Sequence, residues 1–382
     1  MNTRDHHRWS ILLVPLSWLY GMAIWTRNFL YDTGIFRSTK FNIPVISVGN
    51  LTVGGTGKTP HVEYLAELLA GEFRIATLSR GYRRRTRDFR IADLQSTAEE
   101  IGDEPCQIKH RFPDITVAVD RKRYNGIDRL LELDPPVDVI LLDDAFQHRA
   151  VHPGLSILLM DYYRPVDRDR LLPAGRLREP AGNSKRADII LITRSPESIK
   201  SAEQREYSER LGISTRQHLY FTSVRYGQLI PVYEGSPLRD AEWYREHADG
   251  VLIVAGIAQP RHIRQFARTI STSVHELLFP DHHSYSSREL ERITGQFENL
   301  RQHGKEILVL TTEKDAVRLK EFNPPEAFRK ACHAIRIHIH FPGEDQKIFN
   351  NQIKNYVTSN KRKVFFMLSV LQTSGLWRDK FK

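Results

Sequence analysis

Residues 45–60, Val-Ile-Ser-Val-Gly-Asn-Leu-Thr-Val-Gly-Gly-Thr-Gly-Lys-Thr-Pro, constrain this chain more than any other stretch. An apolar run leads into a glycine-rich turn. Gly57-Lys58-Thr59 then opens a helical pattern with apolar positions at Val62, Leu65, Ala66 and Leu69. Strand, turn and helix in that order make a phosphate-binding loop. Small residues let backbone N–H groups curl round an anion, and the helix N-terminus adds partial positive charge. Gly54, Gly55, Thr56 and Gly57 would form the phosphate cradle. Lys58 would reach the β- and γ-phosphates, and the Thr59 hydroxyl would hold Mg2+. The glycine usual five residues before the Gly-Lys pair is replaced by Thr52. An ordinary glycine-rich strand-to-helix turn is the competing reading, and the flanking strand and helix patterns favour the phosphate loop.

The rest of the chain alternates apolar runs with helical patterns, which argues for a mostly parallel sheet flanked by helices on both faces. At 382 residues, 40% hydrophobic and 27% charged, the chain is long enough for one large core or two moderate ones. A charge-rich connector over 195–216 suggests a division. The expected organisation is a membrane-associating N-terminal segment (1–40), a phosphate-loop core (41–200), a smaller C-terminal α/β domain (201–360) and a basic, apolar tail of unknown role (361–382). Lys and Arg number 56 against 46 Asp and Glu, a net charge of +10 that suits an anionic partner: nucleotide, nucleic acid or acidic lipid. Two cysteines, Cys106 and Cys332, lie far apart without metal-ligand spacing, as expected of a reducing cytoplasm.

From Trp9 to Trp25 there are 17 residues without a charge, including Trp18 and Tyr20. A spanning helix needs about 20 apolar residues. Pro15 interrupts the run and no clear cleavage site follows, against an export signal. Aromatic residues of this kind sit at headgroup depth, so the segment reads as a helix in the membrane interface. A helix packed on the protein's own core is the other reading.

Val139-Ile-Leu-Leu-Asp-Asp-Ala-Phe-Gln-His-Arg149 is an apolar strand ending in two carboxylates, some 85 residues after Lys58. Asp143 or Asp144 would orient Mg2+, although a turn or cap also explains such a pair. Gln147 and His148 follow where substrate phosphates would lie, or are surface residues. Leu172-Pro-Ala-Gly-Arg-Leu-Arg-Glu-Pro180 carries Arg176, Arg178 and Glu179. Guanidinium groups stabilise a transferring phosphoryl group and a carboxylate completes a metal shell, yet alone this is a charged loop. Asp103 sits in a turn before a helix, and His282 and His283 sit in a second loop. A carboxylate paired with histidine is a proton-abstracting device.

Taken in order, these segments resemble the tetraacyldisaccharide 4′-kinase family. They are residues 47–60, Ser79-Arg-Gly-Tyr82, Gly102-Asp-Glu-Pro105, residues 143–149, Leu172–Pro180, Ala255-Gly-Ile-Ala258, Phe279-Pro-Asp-His282 and Thr312-Glu-Lys-Asp-Ala316. The resemblance covers roughly residues 10–357, and Thr52 is what this family shows. It implies phosphorylation by ATP of the 4′-hydroxyl of tetraacyldisaccharide 1-phosphate, giving lipid IVA, on the cytoplasmic face of the inner membrane. Lys58 and Thr59 would hold ATP and Mg2+. Asp143 or Asp144 with Glu179 would complete the metal environment. Asp103 with His282, or alternatively His283, would take the hydroxyl proton. Arg80, Gln147, His148, Arg176 and Arg178 would contact phosphate or substrate. Neither nucleic acid nor an obligate protein partner is expected.

Two rivals come from other classes. A phosphate-loop GTPase delivering metals or cofactors would want an Asn/Thr-Lys-x-Asp signature, and Thr312-Glu-Lys-Asp315 has its lysine one place late. A nucleic-acid or membrane-binding module would use Arg83, Arg84, Arg85, Arg87 and Arg90.

Overall fold

The computed structural model describes residues 12–257, 260–281 and 283–373. Helix α1 (Val14–Asp32) precedes β1 (Val45–Asn50), α2 (Lys58–Ala70), β2 (Ile75–Ser79), β3 (Arg90–Ile91), α3 (Ala98–Ile101), α4 (Asp103–Arg111) and β4 (Thr116–Val119). Next come α5 (Arg123–Leu131), β5 (Val139–Asp143), β6 (Leu155–Asp161), β7 (Ile189–Thr193), α6 (Ser201–Leu211) and β8 (His218–Phe221). The second half holds β9 (Ser223–Pro231), α7 (Ala241–His247), β10 (Gly250–Ala255), α8 (Arg261–Ile270), β11 (Val274–Leu278) and α9 (Ser287–Arg301). It closes with β12 (Ile307–Thr312), α10 (Glu313–Leu319), α11 (Glu326–Ala331), β13 (Cys332–His340) and α12 (Asp345–Thr373).

Among the described residues, eight strands form the first sheet in the order β3-β4-β2-β5-β1-β6-β7-β8, parallel throughout except at the short β3 edge. Its central strands are unbroken apolar runs because helices cover both faces. Ile46 and Val48 of β1 meet Val62, Leu65 and Leu69 of α2 on one side. Val45 packs with Ile127 and Leu130 of α5 on the other. The second sheet has the order β11-β10-β12-β13-β9, and only β9 is antiparallel to its neighbour.

The crossing between sheets falls later than the connector suggested. Helix α6 on that connector leads into β8, which pairs with β7 in the first sheet. Thr222 alone then separates β8 from β9. The return from β13 lies beside this crossing, because Ser223 pairs with His340. Beyond it, α12 lays Phe349, Ile353 and Val357 into the core that α2 also covers. Residues 223–340 therefore form a module inserted into the first one, whose last helix comes from residues after the insertion. Residues 374–382 of the expected tail lie outside the described residues.

Helix α1 is inverted. Ser17 and Asn28 are its buried residues, whereas Leu16, Trp18, Leu19, Met22, Trp25 and Phe29 are exposed. Among the described residues no helix is long and apolar enough to cross a membrane. Trp9, the start of the expected apolar run, lies outside them.

Candidate active site

The phosphate loop lies between the C-terminal end of β1 and α2, where ligands of doubly wound sheets bind. Gly57, the N-cap of α2, has φ 83°, and Gly54 has φ 103°. An L side chain is strained at either position. Pro60 falls in the first turn of α2, where no intrahelical N–H partner is lost. Thr52 now has a reason. It forms an antiparallel bridge with Leu177, flanked by Val53 N–H to Arg176 O (2.8 Å) and Arg178 N–H to Leu51 O (2.7 Å). Extended backbone at this point needs no glycine, and the ladder brings the 172–180 loop to the site.

Lys58 Nζ lies 3.7 Å from Asp144 Oδ1. Arg178 Nη1 reaches both Asp144 oxygens, at 3.0 and 3.1 Å, and approaches Gln147 Oε1 at 3.5 Å. Gln147 donates to Asn50 O at 2.8 Å. Thus four residues expected at the site meet one another. Burial works to raise the Asp144 carboxyl, but Lys58 and Arg178 outweigh it and hold it below its usual range. Asp143 is the opposite case. Burial, with Asp144 beside it, pushes its carboxyl up to about 7. Its Oδ1 is buried without a hydrogen-bond partner. Burial, with Arg123 and Arg80 nearby, brings His148 down to about 4, so it is a neutral imidazole at pH 7. Arg80 and Arg176 are exposed. Arg123, not singled out in the sequence, is fully buried. It donates from Nη1 to Asp120 O (2.8 Å) and from Nη2 to Asp143 O (3.1 Å), a cation beneath the carboxylate pair.

Glu179 is not gathered into this cluster. Its buried carboxylate accepts from Asn183 (2.7 Å), Arg186 and Asn28 (3.5 Å), with Arg27 at 3.8 Å. These partners come from α1 and the turn at 181–186, not from β1 or β5, so the carboxylate fastens α1 to the site loop. Tyr20 Oη donates to Arg178 O (2.9 Å) in the same loop, and Arg149 Nη1 to Asn28 O (2.9 Å) and Arg27 to Gln147 O tie α1 to the 143–149 segment.

Asp103 opens α4 and is buried. The glycine before it, Gly102 (φ 97°), packs on Gly81, where a Cβ would meet the Gly81 Cα at 3.1 Å. Two of the motif segments, 79–82 and 102–105, therefore touch backbone to backbone. Asp103 Oδ1 accepts from Arg318 Nε at 2.7 Å, across from the inserted module. Arg318 also bonds Ser284, and Lys314 of the same helix pairs with Asp281 at 2.8 Å and Glu104 at 3.9 Å. Asp281 and Ser284 are thus both tied to the helix that carries Arg318, the partner of Asp103. His282 itself lies outside the described residues. His283 turns the other way, bonded to Glu289 at 3.0 Å and stacked on Phe279. Arg318 was not anticipated, because its partner is 215 residues away.

The Thr312–Asp315 segment is structural. Asp315 accepts from Thr312 Oγ1 (2.6 Å), Gly256 N–H (3.0 Å) and Tyr285 Oη (3.2 Å), leaving neither oxygen for a guanine base. Among the described residues no three His, Cys, Asp or Glu side chains cluster as a self-sufficient metal site. Mg2+ in kinases does not need one, since one or two carboxylates plus phosphate oxygens and water suffice. The orphaned Asp143 oxygen beside Asp144 fits that donor set.

Residues 9–358 match the family described as tetraacyldisaccharide-1-P 4′-kinase. The tetraacyldisaccharide 4′-kinase of Phocaeicola vulgatus is 43% identical over 357 residues, covering 92% of this chain and 96% of the relative. That of Bacteroides fragilis is 44% identical over 367 residues, covering 94% and 96%. The crystal structure of LpxK from Aquifex aeolicus in complex with ATP superposes with a TM-score of 0.69 at 30% identity, over 91% of this chain and 99% of that one. The chain belongs to the tetraacyldisaccharide-1-P 4′-kinase family.

Proposed function

We propose that this protein transfers the γ-phosphoryl group of ATP to the 4′-hydroxyl of tetraacyldisaccharide 1-phosphate, giving lipid IVA in lipid A synthesis. The observation that carries this is family membership over nearly the whole chain, joined to a phosphate loop whose Lys58 faces Asp144. The acceptor oxygen bonds to the γ-phosphorus as the bond to the ADP oxygen breaks. Such a reaction needs positioning and charge neutralisation more than covalent help. The Gly54–Gly57 amides hold the phosphates. Lys58 and Arg178 oppose the charge on the equatorial oxygens, and Asp144 keeps both cations in place beforehand. Asp103, with His282, takes the hydroxyl proton. Arg318 holds the Asp103 carboxylate in one orientation as a positioning residue. Thr59, Asp143 and Asp144 would hold Mg2+, which when bound neutralises charge shared by the β- and γ-phosphates.

The inverted α1 supports a peripheral place on the cytoplasmic face of the inner membrane. Its apolar residues face outward, and its polar residues bind the loops that carry Arg178 and Gln147. An amphiphilic acceptor would be met there with its sugar headgroup toward the site. Transfer of labelled phosphate from ATP to tetraacyldisaccharide 1-phosphate in micelles tests the reading. Wild type should label the lipid, and Lys58→Ala should lower the rate by at least ~100-fold, as for other lost transition-state charges. Folded, ATP-binding wild type that leaves the lipid unlabelled would refute the acceptor.

A further inference from the structure

Three successive carbonyls of the phosphate loop are tied back from behind. Gly55 O accepts from Arg194 Nη2, Thr56 O from Thr193 Oγ1 at 3.0 Å, and Gly57 O from His61 Nδ1 at 2.7 Å. The peptide unit is planar, so turning a carbonyl outward turns the next residue's N–H inward. The braces therefore aim the N–H groups of Thr56, Gly57 and Lys58 at the position of an anion.

The third brace continues further. A carbonyl only accepts, so His61 Nδ1 carries the proton and Nε2 is an acceptor. Its donor is Thr222 Oγ1, at 3.0 Å. Thr222 is the single residue between the last strand of the first sheet and the first strand of the second. Its backbone is committed on the β7 side: N–H to Ile192 O at 2.9 Å, with its O accepting from Ser195 N–H (2.9 Å) and Ser195 Oγ (3.0 Å). Only its hydroxyl reaches α2. Both His61 and Thr222 are buried, so water does not replace this bond when it breaks.

We propose that His61 and Thr222 form a positioning link through which the crossing between the two modules sets the affinity of the phosphate loop for nucleotide. The link rests on the ATP-kinase reading of the site. Displacing the inserted module about Thr222 pulls on the ring that holds Gly57, and an arrangement that keeps Thr222 in place keeps the loop ready for phosphate. Neither residue touches the reacting atoms.

The test is equilibrium ATP binding together with steady-state kinetics on the lipid. Thr222→Val keeps the shape and removes the hydroxyl. It should weaken ATP binding and raise the KM for ATP roughly three- to ten-fold, with kcat and the KM for lipid little changed. His61→Asn keeps a donor where Nδ1 stood and loses the reach to Thr222, so it should weaken ATP binding equally. Combining the two should add nothing, since both break one bond. Thr222→Ser should restore wild-type affinity. ATP affinity within about two-fold of wild type in Thr222→Val, whatever its melting temperature, would overturn the link, as would additive losses in the double variant. Wild type that binds ATP but leaves the lipid unphosphorylated would sink the acceptor assignment alone, and these affinities would still decide the link.

Discussion

Neighbouring carboxylates in this protein take opposite states because of where their partners stand. Asp144 faces two cations and stays ionised, whereas Asp143, one residue earlier, is buried with an orphaned oxygen. Glu63 on α2 is a second buried case, away from the site. It accepts from Arg111 at 2.7 Å and Gln107 at 2.8 Å, and Glu313 of the inserted module shares Arg111 at 3.5 Å. Burial pushes the Glu63 carboxyl up to about 7; Arg111 works against the rise and Glu313 adds to it. A raised folded-state value means that Glu63 contributes stability below about 4.5, and the contribution fades as pH climbs through 7. Glu63→Gln should therefore exceed wild type in stability at pH 8 by on the order of 1 kcal/mol, with no gain at pH 5. Thermal midpoints across that range check it, and a pH-independent difference would contradict it. At this scale the sequence was legible where chemistry is local. Lys58, Asp144, Arg178 and Gln147 follow from motifs read in place, and they meet. Glu179 was read as a metal ligand from its place beside a site arginine; one of its oxygens is bonded by Asn183 and Arg186, and the other is buried without a hydrogen-bond partner. Its other partners, Arg27 and Asn28, lie about 150 residues away, beyond any spacing argument. Arg318 and His61 were missed for the same reason.

Among the elements, α1 and α12 show how much periodicity conveys. Most strands of the first sheet were readable as apolar runs, but β3, β8, β9 and β11 were not. They lie toward sheet edges, where half-buried or exposed residues blur the alternation. In α12, Phe349, Ile353 and Val357 recur every four residues, the signal of a packed helix face, among polar neighbours that dilute it. Phe349 is 1% exposed. Phe349→Ala should destabilise the protein by about 3–5 kcal/mol, read from urea denaturation. A loss under about 1 kcal/mol would mean that α12 is not integral to this core. In α1 the apolar run was legible, and its outward-facing tryptophans and inward-facing asparagine invert the rule for a helix packed on a core, which was the other reading of this segment. Trp18→Glu with Trp25→Glu should keep the melting temperature and reduce binding to anionic vesicles by at least ~10-fold. Unchanged vesicle binding would remove α1 from the membrane contact.

Across the whole molecule, the proposed base is assembled from two modules. Asp103 belongs to the first, and Arg318, Lys314 and the 281–284 loop belong to the insertion. Arg318→Ala should lower kcat on the lipid by ~10- to 100-fold while ATP affinity stays near wild type, because the lost group orients Asp103 and does not touch phosphate. Equal losses in kcat and ATP affinity would show a general loosening of the modules instead. The division between them was only partly legible. The helical connector at 201–211 resembles a linker, yet the chain returns to the first sheet as β8 before it leaves at Thr222.

The nested layout also bears on biosynthesis. The first sheet's α2 face is finished by Phe349, Ile353 and Val357, which follow the whole insertion. On the ribosome, residues 45–221 wait with apolar surface uncovered until that last helix emerges, whereas the contiguous 223–340 module closes ahead of it. Chains stalled or truncated before residue 345 would expose that face to chaperones, proteases and one another.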